Sequence, residues 1–141
     1  MPKRVKIVAV GRVKEKYILE GIKEFIKRLK VFCDLEIVEI KNEATLSREE
    51  EKIDNYLIGE TYILDPIGKS YDSEEFAQLF VTDTQKTFII GGSEGFSTGF
   101  KKKAKLLSLS RMTFLHEMTR LILLEQIYRS FMILNKRKYH K

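Results

Sequence analysis

The chain has 141 residues, of which 43% are hydrophobic and 33% charged, and its formal net charge is +6. These proportions are ordinary for a soluble globular protein, and the length predicts one domain over residues 1–141. No apolar run approaches the ~20 residues that a membrane-spanning helix needs, so we expect no membrane contact. The only cysteine, Cys33, excludes an internal disulfide, which fits a reducing, cytoplasmic location.

The positive charge is concentrated in the carboxyl-terminal third. Residues 98–141 hold 11 Lys and Arg against 2 Asp and Glu, whereas residues 1–97 hold 15 against 18. Such a segment is typical of a polyanion-binding face, because Lys and Arg displace counterions from phosphates. A solvated basic surface that maintains solubility is the alternative.

The amino-terminal segment predicts a strand, a helix and a second strand. Val5 to Val10 is an apolar strand, since the stretch is too short and too alternating for a signal peptide. From Tyr17 to Leu29, apolar side chains recur at spacings of three and four, which predicts a helix. Leu35 to Ile40 predicts the second strand.

The middle of the chain continues this alternation. Ser47, with a glutamate three residues later, has a capping-box pattern and predicts a helix to about Ile58. Thr61 to Asp65 predicts a short buried strand that ends in a Pro-Ile-Gly turn. Either Asp72 or Ser73 caps the next helix, which runs through about Phe80.

The final third predicts two more strands and two more helices. Lys86 to Ile90 is a strand, a short helix follows Ser97, Leu106 to Leu109 is a strand, and a long helix runs from about Leu115 to Leu134. Five alternations of strand and helix predict an α/β fold, with a parallel sheet covered by helices on both faces.

Ligands of such sheets bind beyond the carboxyl ends of the strands, which directs attention to the loops after Asp65, Ile90 and Leu109. The second loop, "IIGGSEGFSTG", has adjacent glycines that allow close backbone approach to a ligand. It matches neither a P-loop nor a dinucleotide fingerprint, and a tight turn is an equal alternative. Asp65 could accept hydrogen bonds from a sugar or from neighbouring backbone amides.

Metal and nucleophile chemistry lack a sequence basis. Cys33, His116 and His140 have no metal-ligand spacing, and there is no G-x-S-x-G elbow, so we expect neither a metal site nor a hydrolase. His116 lies in "SLSRMTFLHEMTR", where a strand pattern gives way to a helical one. From this position alone it could be a catalytic base, a metal ligand or part of the helix start.

The apolar stripe of the long final helix is too wide for one side of a small sheet. Either the helix is deeply buried or its second face packs on another subunit. Glu125 and Arg129 have the spacing of a surface ion pair. In the tail "NKRKYHK", Tyr139 and His140 stand among basic residues; such a tail either frays or stacks on bases and binds phosphates.

Several segments together resemble one family. They are "VAVG", "LDPIGK", "FIIGGSEGFS", "LSLSRMTFLHEMTRLILLEQIYRSFMIL" and the terminal "YHK". In order and spacing they resemble the ribosomal RNA large subunit methyltransferase H family, which belongs to the SPOUT class of S-adenosylmethionine-dependent methyltransferases. The resemblance covers essentially the whole chain, and its most specific part is the final third.

The resemblance implies a parallel α/β domain with a carboxyl-terminal deep trefoil knot, one of the rare exceptions to unknotted topology. It implies a homodimer that methylates N3 of a pseudouridine in 23S rRNA on the assembled ribosome. The implied cofactor is S-adenosyl-L-methionine, bent between the three loops. The residues that match the family's cofactor pocket are Leu64, Gly91, Leu109, Ser110, Arg111, Met112, Thr113 and Phe114.

By the same resemblance, three residues would act on the RNA base. Arg129 would bind a phosphate or uracil oxygen, His140 would accept the proton or orient the base, and Tyr139 would stack on it. His116 then becomes structural, and Leu115 stands where the family usually has a helix-starting Pro. The alternative function is a non-catalytic RNA- or ribosome-binding protein that retains the fold. A nucleotide-binding oxidoreductase is disfavoured, because there is no dinucleotide fingerprint.

Overall fold

The computed structural model of the chain describes residues 2–141, and strands alternate with helices throughout. The elements are β1 Lys3–Val10, α1 Lys16–Leu29, β2 Cys33–Ile40, α2 Leu46–Asp54, β3 Glu60–Ser70, α3 Ser73–Gln78, β4 Lys86–Ile90, α4 Thr98–Lys101, β5 Lys105–Ser108 and α5 His116–Leu134. The strands form one sheet in the order β2-β1-β4-β3-β5, and every neighbouring pair is parallel. The predicted parallel α/β fold is therefore confirmed.

Side chains of the strands alternate between two apolar cores, one on each face of the sheet. In β1, Ile7 and Ala9 face the core formed with α1, α3 and α5, whereas Val8 and Val10 face the core formed with α2 and α4. All five residues of β4 are buried. This burial is expected of a central strand covered on both faces, and it confirms the prediction of helices on both sides.

The third strand differs from its prediction, because it does not end in a turn after Asp65. Leu64 and Lys69 both pair with Leu107 of β5, so residues 65–68 form a bulge and the strand then continues to Ser70. A Cβ on Gly68 would lie 2.6 Å from the backbone carbon of Leu106. The glycine is thus needed because two backbones meet closely inside a sheet.

The start of α2 also differs from its prediction. Thr45 is the N-cap, and its hydroxyl accepts a hydrogen bond from the backbone amide three residues later. The capping box predicted at Ser47 is wrong, because Glu50 bonds across the loop to the amide and hydroxyl of Ser97 instead. The helix ends earlier than predicted, and the chain then turns through Gly59, whose φ of +73° suits glycine.

Asp72 rather than Ser73 caps α3, in a complete capping box. The Asp72 carboxylate accepts from the Glu75 amide at 2.7 Å, and the Glu75 carboxylate accepts from the Asp72 amide at 2.9 Å. We expect Asp72→Ala to lower the free energy of unfolding by about 1 kcal/mol. Asp72→Asn keeps an acceptor oxygen and is the matched control. Equal urea midpoints for the two variants would contradict this role.

The wide apolar stripe of the long helix α5 is partly buried within one chain. Met118, Leu121 and Ile122 are only half-buried, so packing of the second face on another subunit stays a prediction. The helix packs against α1 and α3, and Leu123, Leu124, Ile127 and Phe131 lie in the core. The inner face of the helix is therefore covered within one chain. Among residues 2–141, no helix is long and apolar enough to cross a membrane.

Candidate active site

A cavity of about 240 Å³ opens at the carboxyl ends of β4 and β5 and beside the bulge of β3. The segments after Asp65, Ile90 and Leu109 that the sequence singled out all contribute to its wall, although the first is the bulge of β3 and not a loop. The family-matched residues that line it are Leu64, Gly91, Leu109, Ser110, Met112, Thr113 and Phe114. Arg111 is the exception, because this residue is exposed and does not line the cavity. Sequence reasoning missed other lining residues, notably Phe96 and Thr119.

Glycine backbone forms one wall of the cavity. A Cβ on Gly91 would lie 2.9 Å from the ring of Phe96, and one on Gly92 would lie 3.2 Å from Val10. Phe96 also stacks on Phe100, with ring centroids 5.0 Å apart, so it has a packing partner behind it. The Gly95 amide donates to the Gly92 carbonyl at 3.1 Å. The loop is therefore both a tight turn and a cavity wall, the two alternatives that the sequence left open.

The loop between β5 and α5 is held by its own side chains. The Ser108 hydroxyl donates to the Ser110 carbonyl at 2.9 Å, and the Ser110 hydroxyl accepts from the Met112 amide at 3.0 Å. Such local bonds stabilise an irregular backbone. Met112 is 74% exposed at the cavity mouth, and Phe114 is half-buried beside it. This arrangement offers apolar surface suited to a flat ring.

Asp65 is an anion in the wall of the cavity. Its carboxylate accepts from the Ile67 amide at 3.0 Å and forms an ion pair with Lys101 at 2.8 Å. Burial alone would raise the pKa of Asp65, but the bonds from Lys101 and Ile67 hold that pKa below its ordinary value. The bond to a neighbouring backbone amide considered for this residue is therefore formed.

The three residues expected to act on the base lie together with Glu125, and we name these four residues the tail cluster. Glu125 accepts from the Tyr139 hydroxyl at 2.8 Å and from Arg129 at 2.7 Å. Arg129 also donates to Nδ1 of His140 at 3.1 Å and covers the Tyr139 ring at 4.8 Å. The tail is thus ordered on α5 rather than frayed. The Glu125–Arg129 ion pair is half-buried, whereas the helical spacing of the two residues predicted an exposed ion pair.

Two properties of the tail cluster limit its chemistry. Burial and the neighbouring Glu125 raise the pKa of Tyr139 to about 12, so its hydroxyl stays protonated near neutral pH. A guanidinium only donates hydrogen bonds, so Nδ1 of His140 is the acceptor and a neutral ring carries its hydrogen on Nε2. Tyr139 is therefore a donor or a stacking surface, and His140 presents an Nε2–H group.

The tail cluster and the cavity lie apart within one chain. Arg129 is ten residues beyond Thr119 on α5, which corresponds to about 15 Å along the helix axis. None of Arg129, Tyr139 and His140 lines the cavity. One chain therefore brings the expected base-binding residues together but does not bring them to the expected cofactor pocket.

Two buried charges at the start of α5 hold the β1–α1 loop, residues 11–15. The Glu117 carboxylate accepts from the backbone amides of Lys14 and Glu15, at 2.9 and 3.1 Å, and these bonds keep the pKa of Glu117 below its ordinary value. Arg120 donates to the Gly11 carbonyl at 3.0 Å and to Glu39 at 2.5 Å. Sequence reasoning missed this function of both charges, because helical spacing does not reveal partners distant in sequence.

His116 is the first residue of α5 and lines the cavity. The preceding residue, Leu115, has φ of −54°, close to the value that a proline ring imposes. The backbone at the helix start thus has the conformation that the Pro expected from the resemblance would impose, although the residue there is Leu115. Within residues 2–141 no group of His, Cys, Asp and Glu is arranged to hold a metal ion.

Cys33 begins β2, at the opposite edge of the sheet from the cavity, and is 6% exposed. Burial, with a smaller effect of Asp34, raises the pKa of its thiol to about 12. We expect the native protein to resist alkylation by iodoacetamide at pH 8, while the urea-unfolded chain reacts fully in the same time. Mass spectrometry of both samples checks this. Equally fast modification of both would contradict the burial argument.

A parallel sheet with a glycine-walled, partly apolar cavity at its carboxyl edge defines an α/β protein with a cavity where such sheets commonly bind ligands. Residues 3–140 match the family model described as "Predicted SPOUT methyltransferase". Relatives named ribosomal RNA large subunit methyltransferase H are 42% identical in Natranaerobius thermophilus (97% of this chain, 99% of the relative) and in Acetivibrio thermocellus (98% and 99%). The corresponding protein of Coprothermobacter proteolyticus is also 42% identical (98% and 99%).

The chain therefore belongs to the ribosomal RNA large subunit methyltransferase H family of SPOUT methyltransferases, and the resemblance found in its sequence segments is confirmed.

Proposed function

We propose that this protein is an S-adenosylmethionine-dependent rRNA methyltransferase that methylates N3 of a pseudouridine in 23S rRNA on the assembled ribosome, in the cytoplasm. The observation that carries this proposal is the cavity beyond β4 and β5 and beside the bulge of β3, which seven of the eight family-matched residues line. Membership of the family and the names of the relatives support the substrate class.

The residues that line the cavity suit S-adenosyl-L-methionine. Leu64, Leu109 and Phe114 give the cavity apolar walls for the adenine ring, and the backbone of the 109–114 segment offers polar groups for the ring edge. At Gly91 a side chain would enter space that the Phe96 ring already limits, so only a bare backbone leaves room for a ligand. When bound, the cofactor supplies an electrophilic methyl group on a sulfonium centre.

The tail cluster provides groups suited to a uracil-like base. The aromatic face of Tyr139 can stack on the base, and Nε2–H of His140 can donate to a base oxygen. To accept the imide proton instead, Nδ1 of His140 would have to leave Arg129. Arg129 can bind a phosphate or a uracil oxygen, and Glu125 holds it in place. Much of the rate would come from positioning, because both reactants are bound before transfer.

We further infer that the active enzyme is a homodimer in which the tail of one subunit acts at the cavity of the other. The separation of about 15 Å along α5, within one chain, supports this arrangement.

We also propose that residues 1–141 form one SPOUT domain whose carboxyl-terminal segment closes a deep trefoil knot. The pairing of β5 with β3 and the return of α5 onto α1 and α3 are consistent with such a path.

The alternative is a non-catalytic RNA- or ribosome-binding protein that retains the fold. The basic carboxyl-terminal third fits both functions. The glycine-walled cavity favours the enzyme, because binding to RNA alone would not require a space for a small-molecule cofactor.

Transfer of labelled methyl from S-adenosylmethionine tests the proposal, with 70S ribosomes and free 23S rRNA as parallel substrates. We expect label at one pseudouridine N3, on ribosomes and not on free rRNA. Measurable cofactor binding with label elsewhere would replace the proposed target. Absence of both label and cofactor binding would favour the alternative function.

A further inference from the structure

A second cleft, with a volume of about 790 Å³, adjoins the cofactor cavity. The two share Gly92, Ser93 and His116 in their walls. The other walls of the second cleft come from the β1–α1 loop, from the segment where β2 ends and from Glu117 of α5. A chain bound in this cleft would therefore lead directly to the place where a methyl group is transferred.

Three cations in the second cleft are available to a ligand. Arg12, Lys14 and Lys41 are exposed, and their side chains form no ion pair or hydrogen bond with any residue in the described range 2–141. The carboxylates of the cleft, Glu39 and Glu117, are already bound to Arg120 and to backbone amides. The charge that faces solvent is consequently positive.

The loop that carries two of these cations is fixed in position. Glu117 binds the amides of Lys14 and Glu15, and Arg120, which is 3% exposed, binds the carbonyl of Gly11. Both ends of the loop are thus attached to the first turns of α5, which also border the cofactor cavity. Ordering the loop on binding would cost little, because it is already held in the free protein.

We propose that the second cleft binds the sugar-phosphate backbone of the substrate RNA, with Arg12, Lys14 and Lys41 as phosphate contacts. The inference rests on the proposed function, since it assigns the path by which the RNA strand reaches the cofactor cavity. Glu117 and Arg120 are positioning residues that hold the loop against α5. Phosphate contacts of this kind fix register and affinity without reading the base.

The test compares Arg12→Gln/Lys14→Gln with a matched control, Lys30→Gln. Lys30 is an exposed lysine at the carboxyl end of α1, just before β2 begins, whereas the cleft is lined by the segments that follow β1 and end β2. It forms no ion pair within residues 2–141. Binding to 70S ribosomes is measured by cosedimentation over a range of salt concentrations. Methyl-transfer kinetics and binding of S-adenosylmethionine are measured on the same variants.

We expect the double variant to bind ribosomes roughly tenfold more weakly. The plot of log affinity against log salt should become less steep by about 1.5 units of slope, since two phosphate contacts are removed. The KM of the double variant for ribosomes should rise correspondingly, while kcat and cofactor affinity stay within about twofold. Lys41→Gln should give about half the change in slope. The control should match the unaltered protein.

An unchanged ribosome affinity and salt slope in the double variant would overturn the inference, as would a loss of kcat with KM unchanged. Cosedimentation needs no methyl transfer, so it separates this inference from the proposed function. If the unaltered protein binds ribosomes but transfers no methyl group, the proposed function fails, whereas the slope of the variant still decides whether the cleft contacts phosphates.

Discussion

Removal of residues 139–141 is expected to abolish methyl transfer to ribosomes and to leave the affinity for S-adenosylmethionine unchanged. The truncation deletes Tyr139 and His140, the aromatic and imidazole groups that the tail cluster offers to a base. Neither residue lines the cofactor cavity, so that cavity should stay intact. The loss in turnover should be about a thousandfold or more, the scale on which positioned acid–base groups contribute.

The matched control for the truncation removes Lys141 alone, which keeps both tail-cluster residues. Initial rates on 70S ribosomes and equilibrium dialysis with labelled S-adenosylmethionine report the two effects separately. Tyr139→Phe keeps the ring but loses the hydrogen bond to Glu125, so its turnover should fall far less than that of the truncated chain. Turnover within twofold of the full chain after truncation would remove Tyr139 and His140 from the reaction.

Substitution of Gly91 by Val is expected to weaken S-adenosylmethionine binding by about a hundredfold. Even a single Cβ at this position would lie 2.9 Å from the Phe96 ring, and that ring is stacked on Phe100. A branched side chain must therefore move Phe96 or project into the cavity. Overpacking of this kind costs up to about 3 kcal/mol, which corresponds to the stated loss of affinity.

Gly99→Val is the matched control, because a Cβ on Gly99 would have no heavy atom within 4 Å. Isothermal titration calorimetry gives the cofactor affinity of both variants, and thermal unfolding checks that each is folded. Retention of normal cofactor affinity by a folded Gly91→Val protein would show that the cofactor does not bind beside this glycine.

The sequence was sufficient to predict features that depend on local periodicity. β4 begins and ends at the predicted residues, and the expected loops after β4 and β5 do line one cavity. Local pattern succeeds here because buried parallel strands are short apolar runs bounded by turn residues. The meeting of these two loops follows from chain direction, since parallel strands end at the same edge.

Structural features that depend on contacts between residues far apart in the sequence could not be predicted from local pattern. The extension of β3 past Asp65 requires β5 as its neighbour, and a Pro-Ile-Gly segment reads as a turn without it. The burial of Arg120 depends on Gly11 and Glu39, both far away in the chain. The tail is held in place by the bond from Tyr139 to Glu125, whereas helical spacing predicted only a surface ion pair between Glu125 and Arg129. Each of these outcomes is decided by tertiary contacts that a linear pattern does not contain.

The bulge in β3 has a thermodynamic consequence for any ligand in the cavity. Residues 65–68 are fixed on one side by the pairing of Leu64 and on the other by the pairing of Lys69, both with β5. A segment anchored at both ends has few conformations to lose when it closes on a ligand. The conformational entropy of this wall is therefore lost during folding, and little of the free energy of association is spent on ordering it.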